Sequence, residues 1–207
     1  TNRSYKELVL EQLPIKENQV ISEPHRRNTA PCIAYASYKI RALNPNALVV
    51  VTPSDHLILD VPGFRKTINS AYKKAGAEEA LITLGIKPIR PDTGYGYIQF
   101  DNQKGNKEGN VRRVKTFTEK PDLTIAKKFL DSGDFYWNSG IFIWSNTTII
   151  AALEKHLPDI ASLFKSADNK YNTPKEEKYI SNIYERCKNI SIDYGVMEKA
   201  DSVFVVL

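Results

Sequence analysis

The sequence predicts an α/β fold whose sheet is parallel at its centre and covered by helices. Ala47–Val51 and Ala80–Ile86 are short apolar runs rich in β-branched or aliphatic residues and bounded by turn formers. Such runs read as strands buried on both faces. Between them, Phe64–Ala75 reads as a helix ended by Gly76. Strand, helix and strand in that order make a βαβ unit. A chain of 207 residues is long enough for one sizeable core, so a single domain over 1–207 is expected.

The remaining elements follow in order. Tyr5–Leu13 is helical and stops at Pro14, and Gln19–Ser22 reads as a short strand. The polar stretch Glu23–Pro31 leads into a helix that Asn28 or Thr29 can cap, with Pro31 acceptable in its first turn. Ile33, Ala36, Ile40 and Leu43 would share its buried face. After the second strand, Thr93–Phe100 is a turn entering a strand, and 101–110 is an exposed, Gly/Asn-rich hairpin connection. Val111–Thr118 is a strand, and a helix capped by Asp122 buries Leu123, Ala126, Phe129 and Leu130. Phe135–Trp144 holds an apolar strand with a polar entry at Asn138-Ser139-Gly140. Residues 146–186 are helical, interrupted by Pro158, with Thr173-Pro174-Lys175-Glu176 as a capping box. Ser191–Lys199 is a short helix and Ser202–Leu207 a strand.

Bulk properties exclude several classes. The composition, 42% hydrophobic and 26% charged, is that of a globular protein. A net charge of +5 without a long Lys/Arg block argues against a nucleic-acid arm and suits small phosphorylated ligands. Two distant cysteines and three scattered histidines give no metal-ligand spacing, and reduced thiols in a cytoplasmic setting are the default. No apolar run approaches the ~20 residues of a membrane span.

Four polar clusters lie at strand ends or beside turns: Ser54-Asp55, Tyr95-Gly96-Tyr97, Glu119-Lys120-Pro121 and Asn138-Ser139-Gly140. Each has an ordinary explanation by itself. Asp55 can close a turn or cap a helix, Glu-Lys before Pro is usually a solvated strand end, and Asn-Ser-Gly is usually a turn. Together, in an α/β pattern whose ligands bind at the carboxyl edge of the sheet, they read as a sugar-phosphate site. Asp55 offers a carboxylate for a hard cation such as Mg²⁺. Gly96 admits a ligand close to the backbone, and Glu119 accepts from hydroxyls. Lys120 meets a phosphate as a point charge, and Asn138 has both a donor and an acceptor for a polyol.

Glu23-Pro24 through Arg27-Asn28-Thr29-Ala30-Pro31, Pro53-Ser54-Asp55-His56, Thr93–Ile98, Phe117–Pro121, Trp137–Phe142 and Ser191–Glu198 occur in that order. From about Glu23 onward the chain resembles the sugar nucleotidyltransferase family. Arg-Asn-Thr-Ala-Pro and Ser-Ile-Asp-Tyr resemble its mannose/guanine branch in particular. The resemblance implies a Rossmann-like fold with a mixed, mostly parallel central sheet flanked by helices. It implies the conversion of GTP and mannose 1-phosphate to GDP-mannose and pyrophosphate, in line at the α-phosphorus and assisted by Mg²⁺. It places Asp55 on the metal, Asn28 and Thr29 by the nucleoside with Arg27 and Ser54 near them, and Lys120 on the sugar phosphate. Gly96, Glu119 and Asn138 would bind mannose. Asp193 would touch substrate or organise the start of its helix.

The family's Gly-rich loop, and a later segment carrying a second metal carboxylate, have no counterpart here; the ten glycines include no adjacent pair. The 207 residues are therefore expected to be a truncated catalytic domain with little or no activity alone. Two other readings stay open: a sister enzyme with another base or hexose, and an inactive nucleotide-sugar-binding regulator. Neither nucleic acid nor a membrane is expected as a partner, and homo-oligomerisation is left open.

Overall fold

The computed structural model describes residues 1–101, 107–108 and 110–207. The connection expected as an exposed hairpin loop falls mostly outside them. In chain order the elements are α1 (Lys6–Gln12), α2 (Thr29–Leu43), β1 (Leu48–Val51), α3 (Val61–Ala77), β2 (Leu81–Ile86), β3 (Tyr97–Phe100), β4 (Lys107–Glu108), β5 (Val111–Thr118), α4 (Leu123–Ser132), β6 (Phe135–Ser145), α5 (Asn146–His156), α6 (Pro158–Lys165), α7 (Glu176–Arg186) and β7 (Val203–Val206). The chain divides into two compact units. One is Thr1–Pro45 with Ile150–Gly195, and the other is Asn46–Ile149 with Val196–Leu207.

The second unit carries the sheet, in the order β1-β6-β2-β7-β5-β3, with β4 on β5 and a further β3–β6 pairing. It is mixed, as expected, but not mostly parallel: β2–β7 is parallel, and the other pairings among the described residues are antiparallel. The reason lies in β6. The strands β1 and β2 flanking α3 do run in the same direction, as a crossover unit requires. However, β6 inserts between them and runs against both. The parallel pair β2–β7 occupies the centre of the strand order.

The first strand differs from its expected burial. β1 pairs with β6 alone among the described residues, and its Leu48 and Val50 are 40% and 37% exposed. Among the described residues it stands at the end of the strand order. β2 is the strand buried through Leu84. Ala71 and Ala75 of α3 pack on Ile82, Ile141, Ile143 and Val206 to make the main core. The helix α3 begins earlier than expected because Asp60 caps it, accepting from Gly63 N at 3.0 Å, and Pro62 fits its first turn. It continues through Gly76 to Ala77. Asp122 caps α4 as expected, with Gly133 left-handed at its end (φ 76°). Its first residue, Leu123, is exposed rather than buried. Asn138-Ser139-Gly140 is no turn between elements: it lies within the single 11-residue strand β6. Gly140 (φ 72°) supplies the one backbone bend that this requires.

The first unit is helical. α2 begins at Thr29 after the cap Asn28, and its buried stripe is Ala30, Ile33, Ala34, Ser37 and Tyr38. Leu43, expected on that stripe, is exposed. Tyr35 and Tyr38 stack on Phe164 of α6, and Tyr184 of α7 packs edge-on to Phe164. Gln19–Ser22 forms no strand. Gln19 closes a short 3₁₀ turn, and its side chain accepts from Lys16 N at 2.8 Å. The expected capping box at α7 is also absent. The Thr173 hydroxyl donates back to Lys170 O, and Glu176 turns inward. There it accepts from the Tyr35 hydroxyl, the Lys39 ammonium and Asn172 N. No described helix is long and apolar enough to cross a membrane.

Candidate functional site

The strands β1, β2 and β7 share one direction, so their carboxyl ends meet on one edge of the sheet. That edge is where open α/β sheets bind ligands. A cleft of about 520 Å³ opens there. Asp55 and His56 line it from the loop after β1, Gly85 and Ile86 from the end of β2, and Val206 and Leu207 from β7. β6 crosses this edge in the opposite sense. Its Asn138 and Trp137 lie opposite Gly85 and Ile86, next to a register shift in β2. Beside the shift, three successive residues of β6, Trp137, Asn138 and Ser139, line the cleft, which a regular alternation of faces would not allow.

Gly96 brings three of the expected site residues together. Its carbonyl accepts from Asn138 N at 2.8 Å. A Cβ at position 96 would overlap Glu119 Oε2 and lie 3.4 Å from Asn138 Cβ. Only glycine lets that carboxylate and the Asn138 side-chain stem approach the same stretch of backbone. Glu119 is held from behind, since its backbone N–H donates to Glu198 Oε1 at 2.9 Å. The next residue, Lys120, has φ 45°, in the left-handed region that favours glycine. Its ammonium lies 3.2 Å from Glu119 Oε1, with the Glu119 side chain 7% exposed and the Lys120 side chain 56% exposed. The ion pair is therefore weak on the lysine side, and the ammonium reaches solvent.

Asn138 is fixed as firmly. Its Oδ1 accepts from Thr83 Oγ1 at 2.8 Å and from Gly140 N at 3.2 Å. Ser54 lies on the Asp55 loop, outside the lining of the cleft. Asp55 is exposed on the cleft. The described residues contain no cluster of three or more potential metal ligands. That donor set does not fit a closed metal cage. It does fit a hard dication that keeps several waters and takes its other oxygens from a substrate phosphate.

The other expected residues, Arg27, Asn28, Thr29 and Asp193, lie in the helical unit. The Arg27 guanidinium turns inward and donates to Tyr184 O at 3.0 Å and Glu185 O at 3.4 Å. It caps the carbonyl end of α7 and anchors the loop before α2. Asn28 has φ 66° and ψ −171°, a conformation that is essentially confined to glycine, and its Oδ1 accepts from Thr29 N at 2.9 Å. Thr29 Oγ1 accepts from Ile192 N at 2.8 Å, which ties the start of α2 to the residue before Asp193. Asp193 opens a π-helical turn that runs to Met197.

Three residues close to the cleft, Arg90, Asp92 and Thr83, were not singled out from the sequence. Tyr95 packs on Trp137 with ring centroids 5.0 Å apart, and the Arg90 guanidinium lies 5.3 Å from the Trp137 ring centre. Asp92 organises this wall: its Oδ1 accepts from Gly94 N, its Oδ2 pairs with Arg90, and its carbonyl accepts from the Tyr97 hydroxyl. The Gly94 N–H first, and then Arg90, hold the Asp92 carboxyl below the usual carboxylate range. Thr83 is the third. Its signal is a lone polar residue within the apolar run Leu81–Ile86, where a buried hydroxyl must find a partner.

The nucleotidyl transferase family model matches residues 1–179. A mannose-1-phosphate guanylyltransferase of Escherichia coli is 38% identical over 193 residues, covering 91% of this chain and 41% of that protein. The xanthan biosynthesis protein XanB of Xanthomonas campestris pv. campestris (strain B100) is 38% identical over 206 residues, covering 96% and 42%. The chain thus spans about two fifths of the length of these curated relatives. A crystal structure from Thermus thermophilus, described as mannose-1-phosphate geranyltransferase, superposes with a TM-score of 0.86 at 28% identity. That match covers 100% of this chain and 57% of the other.

Proposed function

The chain belongs to the nucleotidyl transferase family, and on that premise we propose that the complete protein carrying it joins GTP to mannose 1-phosphate, yielding GDP-mannose and pyrophosphate. The convergence of Glu119 and Asn138 on the bare backbone of Gly96, next to Tyr95, with Tyr95 and Asn138 lining the cleft, carries this reading. A carboxylate acceptor and an amide at one point form a hydroxyl-reading pair, as a hexose requires. The relatives' names supply mannose and guanine, and GTP as substrate suits a cytoplasmic enzyme.

The chemistry assigned to the residues follows from their types. Lys120, whose ammonium reaches solvent, neutralises the sugar phosphate. An oxygen of that phosphate attacks the α-phosphorus of GTP. The bond from that phosphorus to the bridging oxygen breaks, and pyrophosphate leaves with the electron pair. The attacking oxygen is already anionic, so no general base is needed. The protein's part is positioning and charge stabilisation. Asp55 would hold Mg²⁺, which when bound would neutralise charge on the nucleotide's phosphate oxygens. Asn28 and Thr29 serve the nucleoside with Ser54 near it, Arg27 supports their loop, and Asp193 organises its turn.

Pyrophosphate release tests this. The complete protein is assayed with Mg²⁺ and GTP, ATP, dTTP, UTP or CTP against mannose and glucose 1-phosphates. Selective turnover of GTP with mannose 1-phosphate is expected, with Asp55→Asn and Lys120→Ala each lowering kcat/KM about 100-fold or more. Turnover of another pair would move the protein to a sister activity. No turnover of any pair, with GDP-mannose still bound, would make it a nucleotide-sugar-binding regulator.

A further inference from the structure

We infer that Glu198 is a positioning residue that sets the Glu119-Lys120 turn for the sugar phosphate. This rests on the reading of Glu119 and Lys120 as sugar-phosphate ligands. Glu198 closes the stretch Ser191–Glu198, and it lies outside the lining of the cleft. Its route to the site is through the turn. Glu198 Oε1 accepts from the backbone N–H of Glu119 at 2.9 Å, across 79 residues of sequence. A hydrogen bond to an ionised carboxylate is about twice as strong as one between neutral groups.

The turn needs such a bond. β5 ends at Thr118, which pairs with Tyr97, and α4 begins at Leu123 behind its cap Asp122. Residues 119–122 make the connection, and Lys120 within it holds φ 45°. A lysine keeps a left-handed backbone where its surroundings fix the chain on both sides. After Lys120, the buried Pro121 and the cap Asp122 do so, Asp122 Oδ1 accepting from Ile125 N at 2.9 Å. Before it, the Glu198 carboxylate holds Glu119 by its N–H. In this conformation the Lys120 ammonium lies 3.2 Å from Glu119 Oε1, and Glu119 Oε2 faces Gly96. A turn relaxed to the right-handed region would change the angle between these neighbouring side chains. Phosphate and hydroxyls would then no longer meet one fixed pair. Glu198 is itself well anchored. It follows the buried Val196 and Met197, and Val196 O accepts from both Lys199 N and Ala200 N, closing a turn around it. The strand β7, paired with β2, then fixes the chain beyond.

The test uses the complete protein in two kinds of measurement. In steady-state assays, Glu198→Ala should raise KM for the sugar 1-phosphate about tenfold, the scale of one hydrogen bond to a charged group, and leave KM for the nucleotide unchanged. Glu198→Gln keeps an acceptor oxygen at the same reach and should restore most of the loss. Glu198→Asp keeps the charge but is one methylene shorter, so it should behave as the alanine variant does. In ¹H–¹⁵N spectra, the Glu119 backbone amide should move in the alanine and aspartate variants and stay near its native position in the glutamine one. The ¹³Cα and ¹³Cβ shifts of Lys120, which report its backbone conformation, should follow the same order. An unchanged sugar-phosphate KM or an unmoved Glu119 amide in Glu198→Ala would overturn the inference. So would a full-strength aspartate variant, or a glutamine variant as poor as the alanine one. Should Glu198→Ala not fold, the contrast between glutamine and aspartate still decides it. Absence of turnover in the unmutated protein would sink the functional reading alone, leaving the spectra to judge the hold of Glu198 on the turn.

Discussion

Two residues near the cleft hold unusual positions, and each permits a sharp test. Gly96 has no room for a methyl group, because a Cβ there overlaps Glu119 Oε2. The Glu119 side chain is nearly buried and anchored at its backbone by Glu198, so it has little space to retreat. Gly96→Ala should therefore raise KM for the sugar 1-phosphate about tenfold, equivalent to about 1.4 kcal/mol, with the nucleotide KM unchanged. An alanine variant with native kinetics would show that the carboxylate is not held where the sugar is read. Lys120 stores backbone strain at φ 45°. A non-glycine residue there costs about 1 kcal/mol, some of which glycine gives back through its freer unfolded chain. Lys120→Gly and Lys120→Ala should be equally inactive, yet the glycine variant should melt a few degrees higher. An alanine variant that melts as high as the glycine one would deny the strain. Asp55, Gly96, Glu119 and Asn138, which the proposed function uses, stood out in the sequence because polar groups lay at the ends of apolar runs. Arg90 did not, because Asp92 holds it through bonds within a loop, and no periodicity records those.

At the scale of elements, α2 and α7 are joined by a buried ion pair. Burial alone would raise the Glu176 pKa. The hydrogen bonds from Lys39, Tyr35 and Asn172 N outweigh it, so the carboxyl titrates below its ordinary value. Burial first, and then the Glu176 carboxylate, push the Tyr35 phenol well above the usual range, so it stays a neutral donor. A carboxyl with a depressed pKa in the fold stabilises at pH values above its unfolded pKa, and this is lost as the pH falls through the folded value. Glu176→Gln leaves Lys39 without its charge partner and should cost about 3 kcal/mol near neutrality. The gap between variant and parent should narrow once the pH drops below about 4.3 and close at lower pH. Thermal melts across pH would show it, and a gap independent of pH would exclude the ion pair as its source. From the sequence, Thr173 and Glu176 had the spacing of a capping box, but the glutamate found stronger partners in the core. Likewise β1 has the composition of a central strand, and among the described residues it pairs with β6. Composition reports which residues suit a strand, whereas β6, far along the chain, decided which strand β1 would pair with.

At the scale of the whole molecule, each compact unit is assembled from two separated stretches of chain. The helical unit is held across its break by the Lys39–Glu176 and Arg41–Asp168 ion pairs, the Arg27 contacts to α7, and the Tyr35–Phe164 stack. None of these partners is near the other in sequence, which is why the elements were readable and their grouping was not. Such long-range closure makes a stretch on either side dependent on the other. Glu176→Gln is a single change in α7, yet its cost should appear on both sides of the break. Native-state hydrogen exchange should show amide protection falling in α2 as well as in α6 and α7. A loss confined to the last turn-and-helix segment around residue 176 would mean that the N-terminal stretch folds on its own terms and that the two stretches share a surface but not a cooperative core.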